Sequence, residues 1–78
     1  MFNKKIKKVI TIEGMMCEHC KFKVEKTLLK LEDVSKVKVS LKDKVAIIYL
    51  SSNINDDDII NAIEKLDYKV VSIGVGKQ

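Results

Sequence analysis

Two kinds of hydrophobic periodicity alternate along this chain of 78 residues, and their order limits the possible folds more than any other feature. Residues 6–13 are rich in β-branched side chains and partly alternate, which predicts a strand. Residues 18–31 instead repeat their apolar side chains at helical spacing. Four of these side chains fall within an arc of about 80°: Cys20, Val24, Leu28 and Leu31. A strand followed by an amphipathic helix is therefore expected.

The middle of the chain returns to strand periodicity. Residues 34–41 alternate cleanly between valine or leucine on one side and lysine or serine on the other. Residues 45–50 form another β-branched run, and the polar residues 42–44 between the two runs suit a short turn. The sequence therefore predicts a hairpin over residues 34–50.

A second helical repeat follows the polar segment after residue 50. Asn55 or Asp56 can cap its first turn, and the acidic residues that follow suit the positive end of a helix dipole. Isoleucine and leucine then recur at helical spacing to Leu66. A second helix is therefore predicted between about residues 56 and 66.

A last strand is predicted over residues 68–75, which completes the order β-α-β-β-α-β. This order is typical of the ferredoxin-like α+β fold, in which two helices cover one face of a four-stranded antiparallel sheet. A chain of this length has room for one domain, so residues 1–78 are taken as a single unit. Residues 1–5 and 76–78 are expected to be frayed ends.

Composition excludes several classes of protein. Hydrophobic residues make up 46% and charged residues 33%, so a packed core with a solvated surface is expected. All fifteen basic residues are lysine, and the net charge of +4 does not by itself indicate a nucleic acid partner. The RNA recognition motif shares this topology but stacks bases on strand aromatics. Since the third strand offers only Tyr49, no nucleic acid partner is expected.

The location of the protein is also constrained by sequence. The longest apolar stretch near the N-terminus, Val9–Ile12, is too short for the core of a signal peptide. No segment approaches the length of a membrane span, so no membrane insertion is expected. The chain is therefore interpreted as cytoplasmic, where its two cysteines would stay reduced.

The chemistry of the chain is concentrated in the segment Gly14–Cys20. Cys17 lies in the predicted loop and Cys20 in the first turn of the predicted helix, so that their sulfurs can converge on one atom. Unpaired N–H groups at a helix start favour negative charge and lower thiol pKa values. Soft thiolates select soft ions such as Cu(I), whereas a closed zinc site usually has four ligands. Cys17 and Cys20 are therefore predicted to bind one Cu(I), with Hg(II), Cd(II) and Zn(II) as alternatives.

A dithiol oxidoreductase is the alternative function for two cysteines at this spacing. It is disfavoured because the thioredoxin fold places a cis-proline beside its active site, and this chain contains no proline. No catalysis is expected.

Other residues of the loop are candidate neighbours of the sulfurs. Met15 is predicted to fill the core behind the loop. Met16 is predicted to be an apolar cover, with a thioether ligand as the alternative. His19 should point away from the sulfurs and act as a pH-sensitive neighbour. Phe22 and Leu29 lie on the side of the helix away from the apolar arc, where they are either scattered hydrophobes or part of a docking face.

Four features together resemble the heavy-metal-associated domain family. They are the loop Gly-Met-x-Cys-x-His-Cys, the apolar stripe of the first helix, the strand around Val37 and the tripeptide Leu66–Tyr68. The similarity covers about residues 6–73 and is greatest to bacterial copper chaperones. It implies that Cys17 and Cys20 are the metal ligands, that Met15 is buried and that Tyr68 lies near the metal loop. Two positions depart from the family pattern. Met16 lies where the family often has threonine or serine, and Asp67 lies where the family usually has glycine.

The resemblance also implies a function. One Cu(I) per monomer would be passed through a mixed thiolate intermediate, with Cys17 as the mobile ligand and Cys20 as the fixed one. The implied recipient is the metal-binding domain of a copper P-type ATPase or a copper-responsive regulator. The chain without metal is expected to be a monomer, and an open two-ligand site also allows a metal-bridged dimer.

Overall fold

The computed structural model describes residues 6–52 and 54–76, and its elements follow the predicted order. They are β1 (Ile6–Glu13), α1 (Glu18–Leu29), β2 (Val34–Ser40), β3 (Val45–Leu50), α2 (Asp56–Glu64) and β4 (Lys69–Gly76). The four strands form one antiparallel sheet in the order β2-β3-β1-β4. The ferredoxin-like architecture is therefore confirmed.

The pairing of the central strand β1 determines which ends of the chain meet. Ile10 pairs with Ala46 of β3 on one side and with Ile73 of β4 on the other. At its end, Glu13 pairs with Lys69, the first residue of β4. The loop that leaves β1 is consequently held beside the segment that enters β4.

The core lies between the sheet and the two helices. Val24 and Leu28 of α1 are fully buried, and Cys20 and Leu31 pack partly against the same cluster, so the predicted apolar arc of α1 is confirmed. The remaining buried hydrophobic side chains of the described residues come from the sheet, the loop and α2: Ile10, Ile12, Met15, Val37, Ala46, Ile48, Leu50, Ile59 and Ile63. Burying each large aliphatic side chain contributes about 1.5–3 kcal/mol, so this cluster supplies most of the driving force for folding.

Some element boundaries differ from the predictions. α1 ends at Leu29 instead of residue 31, because the N–H groups of Lys30 and Leu31 bond three residues back and turn the chain. β4 runs through Gly76, which pairs with Lys7, so the prediction of fraying is wrong at Gly76. The other residues of the predicted frayed ends, 1–5 and 77–78, lie outside the described residues.

A buried lysine was not predicted. Lys8 lies on the core side of β1 with 5% of its surface exposed, and its ammonium is 2.6 Å from a carboxylate oxygen of Asp56. The same ammonium donates to the carbonyl oxygen of Ile54 at 3.1 Å. Asn55 precedes α2 as its N-cap but makes no capping hydrogen bond through its side chain. Lys8 therefore ties the start of α2 to the sheet.

In the part of the chain that the structure describes, neither helix has the length and apolar character needed to cross a bilayer.

Candidate metal site

The loop between β1 and α1 is shaped by a glycine and a buried methionine. Gly14 has a φ of 99°, a backbone conformation that residues other than glycine rarely adopt. A Cβ at this position would lie 3.4 Å from Cδ1 of Tyr68, so the tyrosine ring packs closely on the loop backbone. Met15 is 2% exposed and anchors the loop in the core, as predicted. The chain then reaches the start of α1 with Cys17 at the N-cap.

The two cysteine side chains meet at this helix start. The Sγ atoms of Cys17 and Cys20 lie 2.9 Å apart, and the backbone N–H of Cys20 donates to the Cys17 sulfur at 3.3 Å. Both thiols are free; Cys17 is exposed and Cys20 is half-buried. Two sulfurs that each bind one ion at about 2.3 Å can be no more than about 4.6 Å apart. The observed separation is shorter than that limit, so the two sulfurs are close enough for both to reach one ion.

The environment of Cys20 favours its thiolate. Its pKa is lowered from the ordinary value of 9.0 to about 7, first by the hydrogen bond with the Cys17 sulfur and then by the hydroxyl of Tyr68. The backbone of Met16 adds a further hydrogen bond, while partial burial acts in the opposite direction. A large fraction of Cys20 is therefore ionised near neutral pH and ready to bind a cation.

The pKa of Tyr68 is shifted in the opposite direction, upward. Its pKa is raised from 10.0 to about 12, mainly by its hydrogen bond with Cys20 and secondarily by desolvation. The hydroxyl therefore stays protonated and can donate to the thiolate over the physiological pH range. The expected position of Tyr68 beside the metal loop agrees with this contact.

The other candidate neighbours lie at the surface. Met16 is 83% exposed and Glu18 and His19 are also exposed. Within residues 6–52 and 54–76, no group of three or more His, Cys, Asp or Glu side chains could hold a metal ion. His19 instead lines a surface cavity with Phe22 on the outward side of α1. Because Cys17 is exposed, a group from outside can approach the pair of cysteine sulfurs.

Residue-level reasoning alone did not identify two contributions to the site. The donation from the Met16 backbone depends on the fold of the loop, which residue type does not encode. Asp67, directly before Tyr68, adopts a φ of 70°, in the left-handed region that favours glycine. The glycine usual at this position in similar sequences was one signal for this conformation.

Comparison with known proteins agrees with this geometry. The model of the heavy-metal-associated domain matches residues 4–69. The chain belongs to the heavy-metal-associated domain family. It is 41% identical to the copper chaperone CopZ of Staphylococcus epidermidis over 64 residues, which cover 81% of this chain and 94% of that protein.

Two further similarities bear on the fold and on possible partners. The solved structure of a CopZ metallochaperone superposes with a TM-score of 0.77 at 32% identity, covering 83% of this chain and 98% of that one. A copper-transporting ATPase of Helicobacter pylori contains a segment 41% identical over 64 residues, which is 81% of this chain but 9% of the ATPase. The heavy-metal-associated domain therefore occurs both alone and as a small part of a transporter.

Proposed function

We propose that this member of the heavy-metal-associated domain family is a metallochaperone that carries one Cu(I) between Cys17 and Cys20. The observation that carries the proposal is the 2.9 Å approach of two free sulfurs at a helix start. The lowered pKa of Cys20 supplies a thiolate near neutral pH. Two thiolates and one Cu(I) leave a net negative site, which the N–H groups at the start of α1 stabilise. The proposed role is carriage, with no chemical transformation.

The number of ligands favours Cu(I) over Zn(II). A closed zinc site takes four ligands, usually Cys and His, whereas the described residues include no group of three or more His, Cys, Asp or Glu side chains that could hold a metal ion. Thiolate ligands are the preferred partners of Cu(I). The similarity to CopZ copper chaperones supports the same ion.

The difference in exposure between the two cysteines supports transfer by ligand exchange. Cys17 is exposed, so a thiolate of a recipient can approach an ion bound there and displace the Cys17 sulfur first. Cys20 is half-buried and Tyr68 favours its thiolate by lowering its pKa, so it holds the ion until a second recipient thiolate arrives. Each intermediate keeps the ion bound to sulfur, and free Cu(I) is never released.

The same chemistry defines the kind of partner. A recipient must present its own pair of thiolates on an accessible loop, as the metal-binding domain of a copper-transporting P-type ATPase or a copper-responsive regulator would. The H. pylori ATPase segment that matches this chain supports the first of these. Reduced thiols are required throughout, which places the proposed activity in a reducing compartment such as the cytoplasm. An open two-ligand site also allows two copies to share metal in a bridged dimer.

An anaerobic titration with Cu(I) against a competing chelator tests the proposal. We expect the reduced protein to take up one equivalent in competition with the chelator, and Cys17→Ser plus Cys20→Ser to take up none. Zn(II), Cd(II) and Hg(II) titrated in the same way rank the alternative ions. Met16→Leu serves as the control, since it removes a thioether from the loop while leaving both thiols in place.

The result that would overturn the proposal is equally specific. If the double cysteine variant bound Cu(I) as the wild type does, the sulfurs would not be the ligands. If the wild type preferred Zn(II) over Cu(I) under these conditions, the proposal that Cu(I) is the bound ion would be wrong. Reduction of a model disulfide at an enzymatic rate would favour a dithiol oxidoreductase instead.

A further inference from the structure

The two edge strands of the sheet, β2 and β4, differ in charge. β2 carries Lys36 and Lys38, both exposed, and lysines on an edge strand discourage pairing with a strand of another chain. β4 carries one charged residue among its eight, Lys69 at its first position. β4 is therefore the edge that lacks this protection along most of its length.

Three apolar side chains form a row on the helix-facing side of β4. Ile73 pairs with Ile10, and Val75 pairs with Lys8. The side chains of both partners are buried under the helices, so Ile73 and Val75 lie on the same side of the sheet. Val71 precedes Ile73 by two residues and lies in a bulge, a feature that re-aims side chains at sheet edges. Val71 is 57% exposed and Val75 is 76% exposed, so the core leaves most of this row uncovered.

Gly74 leaves the backbone of β4 accessible within this row. A Cβ at this position would meet no atom within 4 Å, so packing among the described residues does not require a glycine here. A glycine inside a strand often marks a place where another backbone approaches closely. Gly74 is therefore consistent with a strand from outside lying against β4.

The sequence of β4 is nearly symmetric about Ile73. If two β4 strands pair antiparallel with Ile73 opposite Ile73, Val71 of each copy lies opposite Val75 of the other. The exposed valines then cover each other, and Ser72 lies opposite Gly74 on the other face of the sheet. Side chains that are directly opposite across two strands are close enough to contact each other. The strand that complements this edge is therefore a second β4.

The charge of the whole chain also favours this edge for contact between two copies. Each copy carries a net charge of +4, so two copies repel each other where lysines face lysines. The segment 70–76 has no charged residue, so repulsion is least where two β4 strands meet.

The size of the contact limits its strength. An eight-residue strand is about 27 Å long, and a strip about 10 Å wide along it covers about 270 Å². A stable interface covers about 800 Å² on each partner. Pairing of two β4 strands is therefore expected to give a weak dimer that forms at high protein concentration.

We propose that two copies of this chain associate through β4, pairing antiparallel about Ile73 to form one continuous eight-stranded sheet. Since Lys69 begins β4 four residues before Ile73, the two β4 starts lie about 27 Å apart along the strands. The two metal loops, each beside Tyr68, therefore lie at opposite ends of the shared sheet and stay accessible. This dimer needs no metal and is distinct from a metal-bridged dimer. At low concentration the chain is a monomer, the state that the family resemblance implies for the metal-free protein.

Sedimentation velocity of the reduced, metal-free protein from about 10 μM to 1 mM measures the association. We expect the average mass to rise from that of a monomer toward that of a dimer. Higher salt should strengthen the association, because it screens the repulsion between two positive copies. Val71→Lys should weaken the association at least tenfold. Ser52→Lys adds the same charge at an exposed position outside the strands and should change it less than twofold.

Disulfide cross-linking tests the register directly. Val71→Cys and Val75→Cys are prepared separately in a background of Cys17→Ser plus Cys20→Ser, and one of the two is labelled with ¹⁵N. Residues opposite each other in an antiparallel pair have Cα atoms about 4.5–5.5 Å apart, within the range that a disulfide spans. Two copies of position 71 would instead be about 14 Å apart along the strands, which is too far. After oxidation of an equal mixture, we expect the mixed disulfide to exceed each homodimeric disulfide at least tenfold, whereas random collision gives twofold.

Several results would overturn this inference. The first is a wild-type mass that stays monomeric up to 1 mM. The second is loss of the association in Cys17→Ser plus Cys20→Ser, since sulfur or metal would then bridge the copies. Equal effects of Val71→Lys and Ser52→Lys, or a random mixture of disulfides, would show that the copies do not meet through β4. Uptake of Cu(I) is measured separately, so each of these results leaves the proposed function standing.

Discussion

The hydroxyl of Tyr68 lies beside the sulfur of Cys20, and each group changes the acidity of the other. The contact is the main cause of the rise in the Tyr68 pKa to about 12. It is the second contribution, after the Cys17 sulfur, to the fall in the Cys20 pKa to about 7. The tyrosine therefore stabilises the thiolate of Cys20, which is one of the two proposed metal ligands.

Replacing Tyr68 with phenylalanine removes the hydroxyl and keeps most of the ring packing against Gly14. We expect the Cys20 pKa to move upward toward its ordinary value and the affinity for Cu(I) at pH 7 to fall roughly tenfold, as for other groups that support metal ligands. Thiolate absorbance near 240 nm measures the first change and chelator competition the second. Tyr49→Phe on β3 is the control, and equal effects of the two substitutions would contradict a specific role for Tyr68.

The stability of the reduced protein without metal should depend on pH in a way that identifies Cys20. The folded pKa of about 7 lies below the ordinary value of 9.0, so the unfolded chain binds more protons between these values. The stability contributed by Cys20 is therefore present above pH 9 and is lost as the pH falls through 7. Urea unfolding from pH 6 to 9 should show this rise, and Cys20→Ser should lack it. A rise that persists in Cys20→Ser would assign it to other groups.

Tyr68 predicts the opposite trend at higher pH. Its folded pKa of about 12 exceeds the ordinary value of 10.0, so the stability it contributes is present below pH 10 and is lost as the pH rises toward 12. Urea unfolding from pH 9 to 11.5 should show this decrease, and it should be smaller in Tyr68→Phe. An equal decrease in both proteins would mean that lysine deprotonation dominates.

The order of elements was predictable because each strand and helix shows its own periodicity in the sequence. The convergence of Cys17 and Cys20 was predictable for the same reason, since their spacing at a helix start is a local property. The burial of Lys8 was not, because its partner Asp56 is 48 residues away and only the folded sheet brings them together. Long-range pairs of this kind follow from packing and leave no signal in a local pattern.

Asp67 gives a further prediction about stability. Its φ of 70° places its Cβ in an unfavourable position, and it is the residue directly before Tyr68. Glycine adopts this conformation without strain. We therefore expect Asp67→Gly to stabilise the protein by about 0.5–1 kcal/mol, even though glycine has more conformational freedom in the unfolded chain. Asp57→Gly in the regular backbone of α2 is the control and should destabilise. Loss of stability in Asp67→Gly would show that the aspartate makes a compensating contact.

The ion pair between Lys8 and Asp56 should respond unequally to removal of its two members. The Lys8 side chain is 7% exposed and that of Asp56 is 53% exposed, so Asp56→Ala leaves a buried ammonium with only the carbonyl of Ile54. This should cost about 1–3 kcal/mol. Lys8→Met keeps an apolar stem of similar size and leaves a carboxylate in contact with water, so it should cost less than about 1.5 kcal/mol.

Urea unfolding at pH 7 of the two variants provides the comparison. Asp57→Ala corrects for the loss of a negative charge in the first turn of α2, since this residue is exposed and lies in the same turn. After that correction, Asp56→Ala should remain more destabilised than Lys8→Met, because only Asp56→Ala leaves a charge without its partner in the interior. The reverse order would mean that Lys8 contributes chiefly through the packing of its stem, and that the start of α2 is held to the sheet without the ion pair.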